Sequence, residues 1–181
     1  MIKAKTGDLT QEMSLHNPTT QEEAKTTIFL LEKDLLLGVG LWSDCLKIFG
    51  DMCRDGKLRA DENILVGVLS SCANKGDLNL GRCTHGSLLR TFNVLNIVVE
   101  TSLIDLYVKC GSLNKGKSLF EEMVVKNKLT YSVMVSGLAN HGRAEEAITV
   151  FSDMLEEGIK PDDITYVGVL RACSSAGLVI F

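Results

Sequence analysis

Glycine recurs in this 181-residue chain at Gly40, Gly76, Gly111, Gly142 and Gly177, at separations of 36, 35, 31 and 35 residues. Such a spacing constrains the fold strongly, because every unit of an array must build the same small supersecondary structure. The neighbours of each glycine keep register. Five positions on stand Cys45, Gly81, Gly116 and Ala147, all small. Nine on stand Phe49, His85, Phe120 and Phe151, and twelve on Met52, Leu88, Met123 and Met154. Four before stand Leu36, Cys72, Tyr107, Leu138 and Cys173. Seven before, from the second glycine on, stand Leu69, Ile104, Val135 and Leu170.

Residues seven and four before the glycine share one face of a helix. The glycine supplies the left-handed residue that ends it. Asp77 and Ser112 then sit where a second helix wants its N-cap, and Glu145 and Glu146 suit a first helical turn. The small residue lets that second helix cross closely over the first, and the Phe and Met columns fill the space between them. Each unit is an antiparallel helix pair that cannot bury its apolar face alone, so neighbours stack. Pro161 suits a joint between pairs. The pattern predicts helices near 28–38 and 42–54, 64–74 and 78–90, 99–109 and 113–124, 130–140 and 144–156, and a lone helix near 165–175. The predicted class is all-α: stacked helix pairs with no sheet.

Unit boundaries follow at 26–61, 62–96, 97–127, 128–162 and 163–181, after a polar, poorly ordered leader over 1–25. The first unit is degenerate, with Glu32, Lys33 and Asp34 where apolar residues belong. The chain stops at Phe181 halfway through a unit, as expected of a truncated member or a piece of a longer array.

Several classes of function are disfavoured. A net charge of −4 argues against a broad basic nucleic-acid face, though not against a narrow one reading a few bases. The longest apolar run, Ile64 to Leu69, is broken by Gly67 and far too short for a membrane span. The leader carries Lys3, Lys5 and Lys25 beside Asp8, Glu12, Glu22 and Glu23, which is neither a secretory signal nor a clear transit peptide. The six cysteines form no Cys-x-x-Cys and, with His16, His85 and His141, no zinc spacing. They read as reduced thiols packed like small hydrophobes. No deaminase signature is present, and Gly38-Val39-Gly40 lacks the partners of a phosphate loop. His85 falls in the packing column, so a place in the core or at a groove edge is expected. No enzyme activity, catalytic residue, metal, cofactor or small-molecule substrate is expected.

The sequence lacks the early Trp and Leu-Gly of tetratricopeptide repeats. Other stretches carry a sharper likeness: Thr130-Tyr131 through His141-Gly142-Arg143-Ala144-Glu145-Glu146-Ala147, Phe151 to Met154, and Gly158-Ile159-Lys160-Pro161-Asp162. Asp163-Ile164-Thr165-Tyr166 with Leu170-Arg171-Ala172-Cys173-Ser174, and Tyr107-Val108-Lys109-Cys110-Gly111-Ser112-Leu113, add to it. Over residues 26–181 the chain resembles the pentatricopeptide repeat family of plant organelle RNA-binding proteins. The 31-residue unit among longer ones resembles the plant subclass with ordinary, long and short motifs in rotation. Unit 62–96 is then long, 97–127 short and 128–162 ordinary.

The resemblance implies a right-handed α-solenoid, tetratricopeptide-like in build. It implies a mitochondrial or chloroplast adaptor for single-stranded RNA in editing-site choice, splicing or stability. RNA-editing or processing factors are the implied protein partners. One base per unit is contacted by the fifth and last residues and packed by the second. These are Thr101, Asn127 and Val98 in the short motif, and Ser132, Asp162 and Leu129 in the ordinary one. Ile164 opens the next unit. A carboxylate can accept from guanine's two donors, whereas an amide suits adenine's donor and acceptor. Thr101/Asn127 followed by Ser132/Asp162 therefore predicts adenine then guanine. Val66 and Asn96, like Leu30 and Asp61, are expected to select little, because an aliphatic residue makes no hydrogen bond. Capping is the competing role for Asn and Asp at such places. The competing functions are a protein-binding helical scaffold and a truncated product with none.

Overall fold

The computed structural model describes residues 42–54 and 62–177. The leader over 1–25, the helix expected near 28–38, and Leu30 and Asp61 lie outside them. Among the described residues there are eight helices and no strand. They are α1 (Trp42–Arg54), α2 (Glu62–Lys75), α3 (Leu78–Thr91), α4 (Ile97–Lys109), α5 (Leu113–Glu122), α6 (Lys128–Asn140), α7 (Ala144–Glu156) and α8 (Asp163–Ser175).

The repeating glycine does what its register demands. Gly76, Gly111, Gly142 and Gly177 have φ of 73, 78, 72 and 68°. At the first three, two hydrogen bonds close the helix end. The Gly76, Gly111 and Gly142 N–H groups donate to Ala73, Val108 and Ala139, and the next N–H in each case reaches Cys72, Tyr107 or Leu138 at 2.8–2.9 Å. Gly158, at φ 72°, uses the same device after α7, between units rather than within one.

The first helix of each unit begins two residues earlier than the periodicity predicts: at 62, 97, 128 and 163 rather than 64, 99, 130 and 165. Capping explains the shift for the last three. Asn96, Asn127 and Asp162 each accept a backbone N–H of the first turn, which extends the helix into a polar stretch that apolar spacing cannot detect. Asp77 caps α3 through the Leu80 N–H at 3.0 Å, but Ser112 makes no side-chain cap bond to α5. Helix α5 ends at Glu122, short of the expected 124, with Met123 extended behind it. That accounts for most of the short unit: α5 has 10 residues where α7 has 13.

Helices α2, α4, α6 and α8 pack each on the next and form a continuous layer. Helices α3, α5 and α7 each lie on their own first helix and on that of the following unit. Helix α4 shows why single pairs cannot stand alone. Its Val99, Leu103 and Leu106 belong to one apolar cluster with α2, while Ile104 and Val108 belong to another with α6. The sequence columns largely mark this core: Leu69, Ile104, Val135, Cys72, Tyr107, Leu138, Leu88, Met123 and Met154 are buried. Leu170 breaks its column at 59% exposure, because no second helix follows α8 among the described residues. His85 is buried as expected, its Nδ1 2.8 Å from the Tyr107 hydroxyl.

The small-residue column is less uniform than its sequence suggests. A Cβ on Gly116 would sit 2.8 Å from Val108 Cγ2 of its own pair. A Cβ on Gly81 would instead meet Leu106 of the following unit, at 2.5 Å. A second helix lies between two first helices, so its small residue can relieve either contact.

Candidate nucleic-acid interface

Helices α4, α6 and α8 each open on an Asn or Asp cap, and the caps of α6 and α8 meet the fifth residue of the preceding first helix. Val98, Leu129 and Ile164, at the second place of three successive units, are 56, 56 and 63% exposed. In α4 and α6 these exposed side chains stand beside a polar cap and are followed by buried apolar residues, whereas in α8 Tyr166, Val167 and Leu170 are exposed as well.

The polar residues beside them are tied across unit boundaries. In the short unit Asn127 Oδ1 accepts the Thr130 N–H at 2.9 Å and the Thr130 hydroxyl at 3.0 Å. Thr130 Oγ1 lies 2.9 Å from Thr101 Oγ1. Since the Thr130 proton goes to Asn127, Thr101 is the donor in that contact. Thr101 and Asn127, 26 residues apart in sequence, are thus joined through Thr130. The ordinary unit repeats the plan. Asp162 Oδ1 accepts the Thr165 hydroxyl at 2.6 Å, the Thr165 N–H at 2.9 Å and the Ser132 hydroxyl at 3.5 Å.

These bonds leave one atom of each cap unclaimed among the described residues: Nδ2 of Asn127 and Oδ2 of Asp162. A backbone N–H can only donate, so Asn127 must turn its oxygen to Thr130 and present its amide as a donor. Asp162 presents an acceptor at the matching place. The Thr165 hydroxyl hydrogen bond, together with the Thr165 N–H, Lys128 and Ser132, outweighs the opposing effect of burial. It holds the Asp162 carboxyl below its ordinary range, so the acceptor stays ionised. Asn96 differs, because its oxygen caps α4 through Val98 and Val99 while its Nδ2 donates to Glu62. Val66 is half-buried.

The structure therefore joins the residues singled out in sequence, but not with equal access. Asn127 is exposed and Asp162 partly so, whereas Thr101 and Ser132 are 4 and 3% exposed and lie beneath the caps. Thr130 and Thr165, both fully buried, were missed by the column reading. An Asn or Asp followed three residues later by a hydroxyl residue is a capping-box arrangement, and that signal could have revealed them. Among the described residues no group of His, Cys, Asp and Glu could hold a metal ion, and no helix is long and apolar enough to cross a membrane.

The sequence pattern described as the PPR repeat family matches residues 126–175, and that of the PPR repeat matches residues 101–127. The chain belongs to the pentatricopeptide repeat family. Pentatricopeptide repeat-containing protein At1g31920 of Arabidopsis thaliana is 53% identical over 142 residues, covering 78% of this chain and 23% of that protein. The mitochondrial pentatricopeptide repeat-containing protein At2g22410 of the same plant is 37% identical over 136 residues, covering 75% of this chain and 20% of that protein. The chain thus spans about a fifth to a quarter of the length of these relatives. The crystal structure of the pentatricopeptide repeat protein PPR10, known from maize, in complex with an 18-nt psaJ RNA element, superposes with a TM-score of 0.74. It is 18% identical and covers 98% of this chain and 26% of that one, a likeness of fold. The pentatricopeptide repeat fold is an α-solenoid, and the helix pairs described above are its repeating element.

Proposed function

We propose that this pentatricopeptide repeat chain is a sequence-specific single-stranded RNA-binding adaptor in mitochondrial or chloroplast RNA processing, carrying out no chemistry itself. Units of long, short and ordinary type present one base each to the layer of first helices. Val98, Leu129 and Ile164 pack on base faces. Asn127 and Asp162 read the pairing edges, and Thr101 and Ser132 hold those readers from below. This division of labour differs from direct reading by all four residues, because the two hydroxyls are covered and already donate within the protein.

The observation that carries the reading is the single unclaimed atom at each cap. Nδ2 of Asn127 is a donor and fits the ring acceptor of adenine. Oδ2 of Asp162 is a charged acceptor and fits the donors of guanine. The likeness to PPR10 solved with RNA supports the reading, as does the organellar name of a relative.

The test exchanges one atom. Asp162→Asn leaves an oxygen for Thr165, and Asn caps a helix as well as Asp does, so stability should hold. Oδ2 becomes an N–H donor, and the preferred base at that position should move from guanine towards adenine. A hydrogen bond to a charged acceptor contributes about 1.5–3 kcal/mol, so the shift should be on the order of tenfold or more. An equilibrium binding series over the four bases at fixed salt measures it. Identical base rankings for both proteins would reduce Asp162 to a cap.

A further inference from the structure

Helix α3 has 14 residues and α5 only 10. Gly81 and Gly116 stand in register, so Glu122 at the end of α5 corresponds to Ser87, whereas α3 runs on to Thr91. The two helices do not pack on one another. Between their C-terminal ends, over the first turns of α4, lies a cleft of about 310 Å³, a size within the range of small-molecule sites. Leu89, Leu103, Leu119 and Met123 give it apolar walls, and His85, Glu100 and Glu122 are its titratable groups. Glu100 follows Val98 by two residues, a rotation of about 200°, so the cleft opens away from the face that carries the base-packing residues.

The polar groups of this cleft have unused capacity. His85 lines it while only 7% exposed. Its Nδ1 is taken by the Tyr107 hydroxyl, and its Nε2 has no partner among the described residues. The carboxylates of Glu100 and Glu122 make no ion pair or hydrogen bond among the described residues either. Burial pushes the Glu100 carboxyl above its ordinary range, a cost that a bound cation would relieve. Burial, and then Lys115, lower the His85 pKa, so the imidazole is neutral and does not repel that cation. Lys115 itself stands two helical turns before Glu122, about 10 Å along α5, and does not line the cleft. The three groups do not gather as a metal site does. The charge that fits is therefore one carried on an apolar body.

We propose that this cleft is a binding site for a small aliphatic amine, held as its ammonium. The alkyl chain lies along Leu103, Leu119 and Met123. Glu100 and Glu122 accept ammonium N–H groups, and His85 Nε2 accepts another while Nδ1–H donates to the Tyr107 oxygen. Occupancy bridges α3 to α5 and so ties the unit over 62–96 to that over 97–127. The site is independent of the RNA reading, since it uses other side chains on another face.

The experiment titrates the isotope-labelled full chain with n-hexylammonium chloride at fixed salt and about pH 7.5, where His85 is neutral, with hexan-1-ol as the uncharged control. The His85 ring resonances and the Leu89 and Leu103 amides should shift and saturate, with a Kd on the order of millimolar for so small a ligand. Hexan-1-ol should bind about tenfold more weakly. Glu100→Gln should weaken the amine about tenfold and leave the alcohol unchanged, because the contact removed is a hydrogen bond to a charged group. Glu122→Gln, at an exposed carboxylate, should weaken the amine only about twofold. The amine should raise the melting temperature of wild type more than that of Glu100→Gln. No saturable shift at His85, shifts centred on Asp162 instead, equal binding of amine and alcohol, or an unaltered amine Kd in folded Glu100→Gln overturns the site. Should Glu100→Gln fail to fold, the amine–alcohol comparison in wild type decides in its place.

Discussion

Val108 is held between two glycines. A Cβ on Gly137 of α6 would lie 1.9 Å from Val108 Cγ1, and one on Gly116 of α5 would lie 2.8 Å from Cγ2. Gly137→Ala therefore tests whether first helices pack on one another as closely as the fold requires. Two effects oppose. Alanine favours a helix interior over glycine by up to about 1 kcal/mol. Overpacking costs about 1–3 kcal/mol, and occasionally more. A 1.9 Å approach is far inside contact, and β-branched Val108 has one strongly preferred helical rotamer, so it cannot swing clear. The upper end of the range applies, and the net loss should be about 2 kcal/mol. For a chain of this size that lowers Tm by about 4–8 °C. Urea denaturation followed by circular dichroism gives the free energy. The decisive measurement is a cycle with Val108→Ala, which removes both methyl groups. Alone that variant should lose about 1.6 kcal/mol at ~0.8 per methylene-sized group. Combined, the two should lose at least about 1 kcal/mol less than their sum, because each relieves the other. Additivity within about 0.5 kcal/mol would show that Gly137 and Val108 do not meet.

Gly116→Leu should destabilise the chain by about 3 kcal/mol or more, since four extra carbons meet Val108 and the backbone of α4, and an unchanged melting curve would misplace that crossing. Asp77→Ala should cost about 1 kcal/mol because its side chain caps α3, while Ser112→Ala should stay within about 0.5 kcal/mol; equal losses in urea titrations would contradict the cap geometry. Burial, and then Lys115, lower the His85 pKa from 6.5 in the folded chain. The unfolded chain therefore takes the proton first, and stability falls as pH drops below about 6.5 towards the lowered folded value. His85→Gln should remove this part of the acid dependence, so the Tm difference from wild type should narrow between about pH 7 and 5; a constant difference would show that His85 does not titrate in this way.

Much was legible in sequence because it depends on local backbone physics. A left-handed glycine every 31 to 36 residues, flanked by apolar residues at helical spacing, dictates helix pairs whatever surrounds them. The positive φ at Gly76, Gly111 and Gly142 follows from that alone. So does burial of columns such as Leu69, Ile104 and Val135, since an apolar stripe must be covered. Helix starts were less legible. Apolar periodicity weighs only buried positions, and the first turn is set by a polar cap that the same reading treats as loop.

Tertiary structure decided what depends on neighbours distant in the chain. Only packing shows that Gly81 accommodates Leu106 of the next unit rather than its own pair, because a second helix touches two first helices at once. Only the meeting of α4 with α6, and of α6 with α8, covers Thr101 and Ser132 and hands their hydroxyls to Thr130 and Asp162. The residue types at those places were visible in sequence. Which atom of Asn127 or Asp162 remains free was not legible in the apolar columns, because the threonine hydroxyl and N–H three residues on donate to the other atom once the first turn has formed.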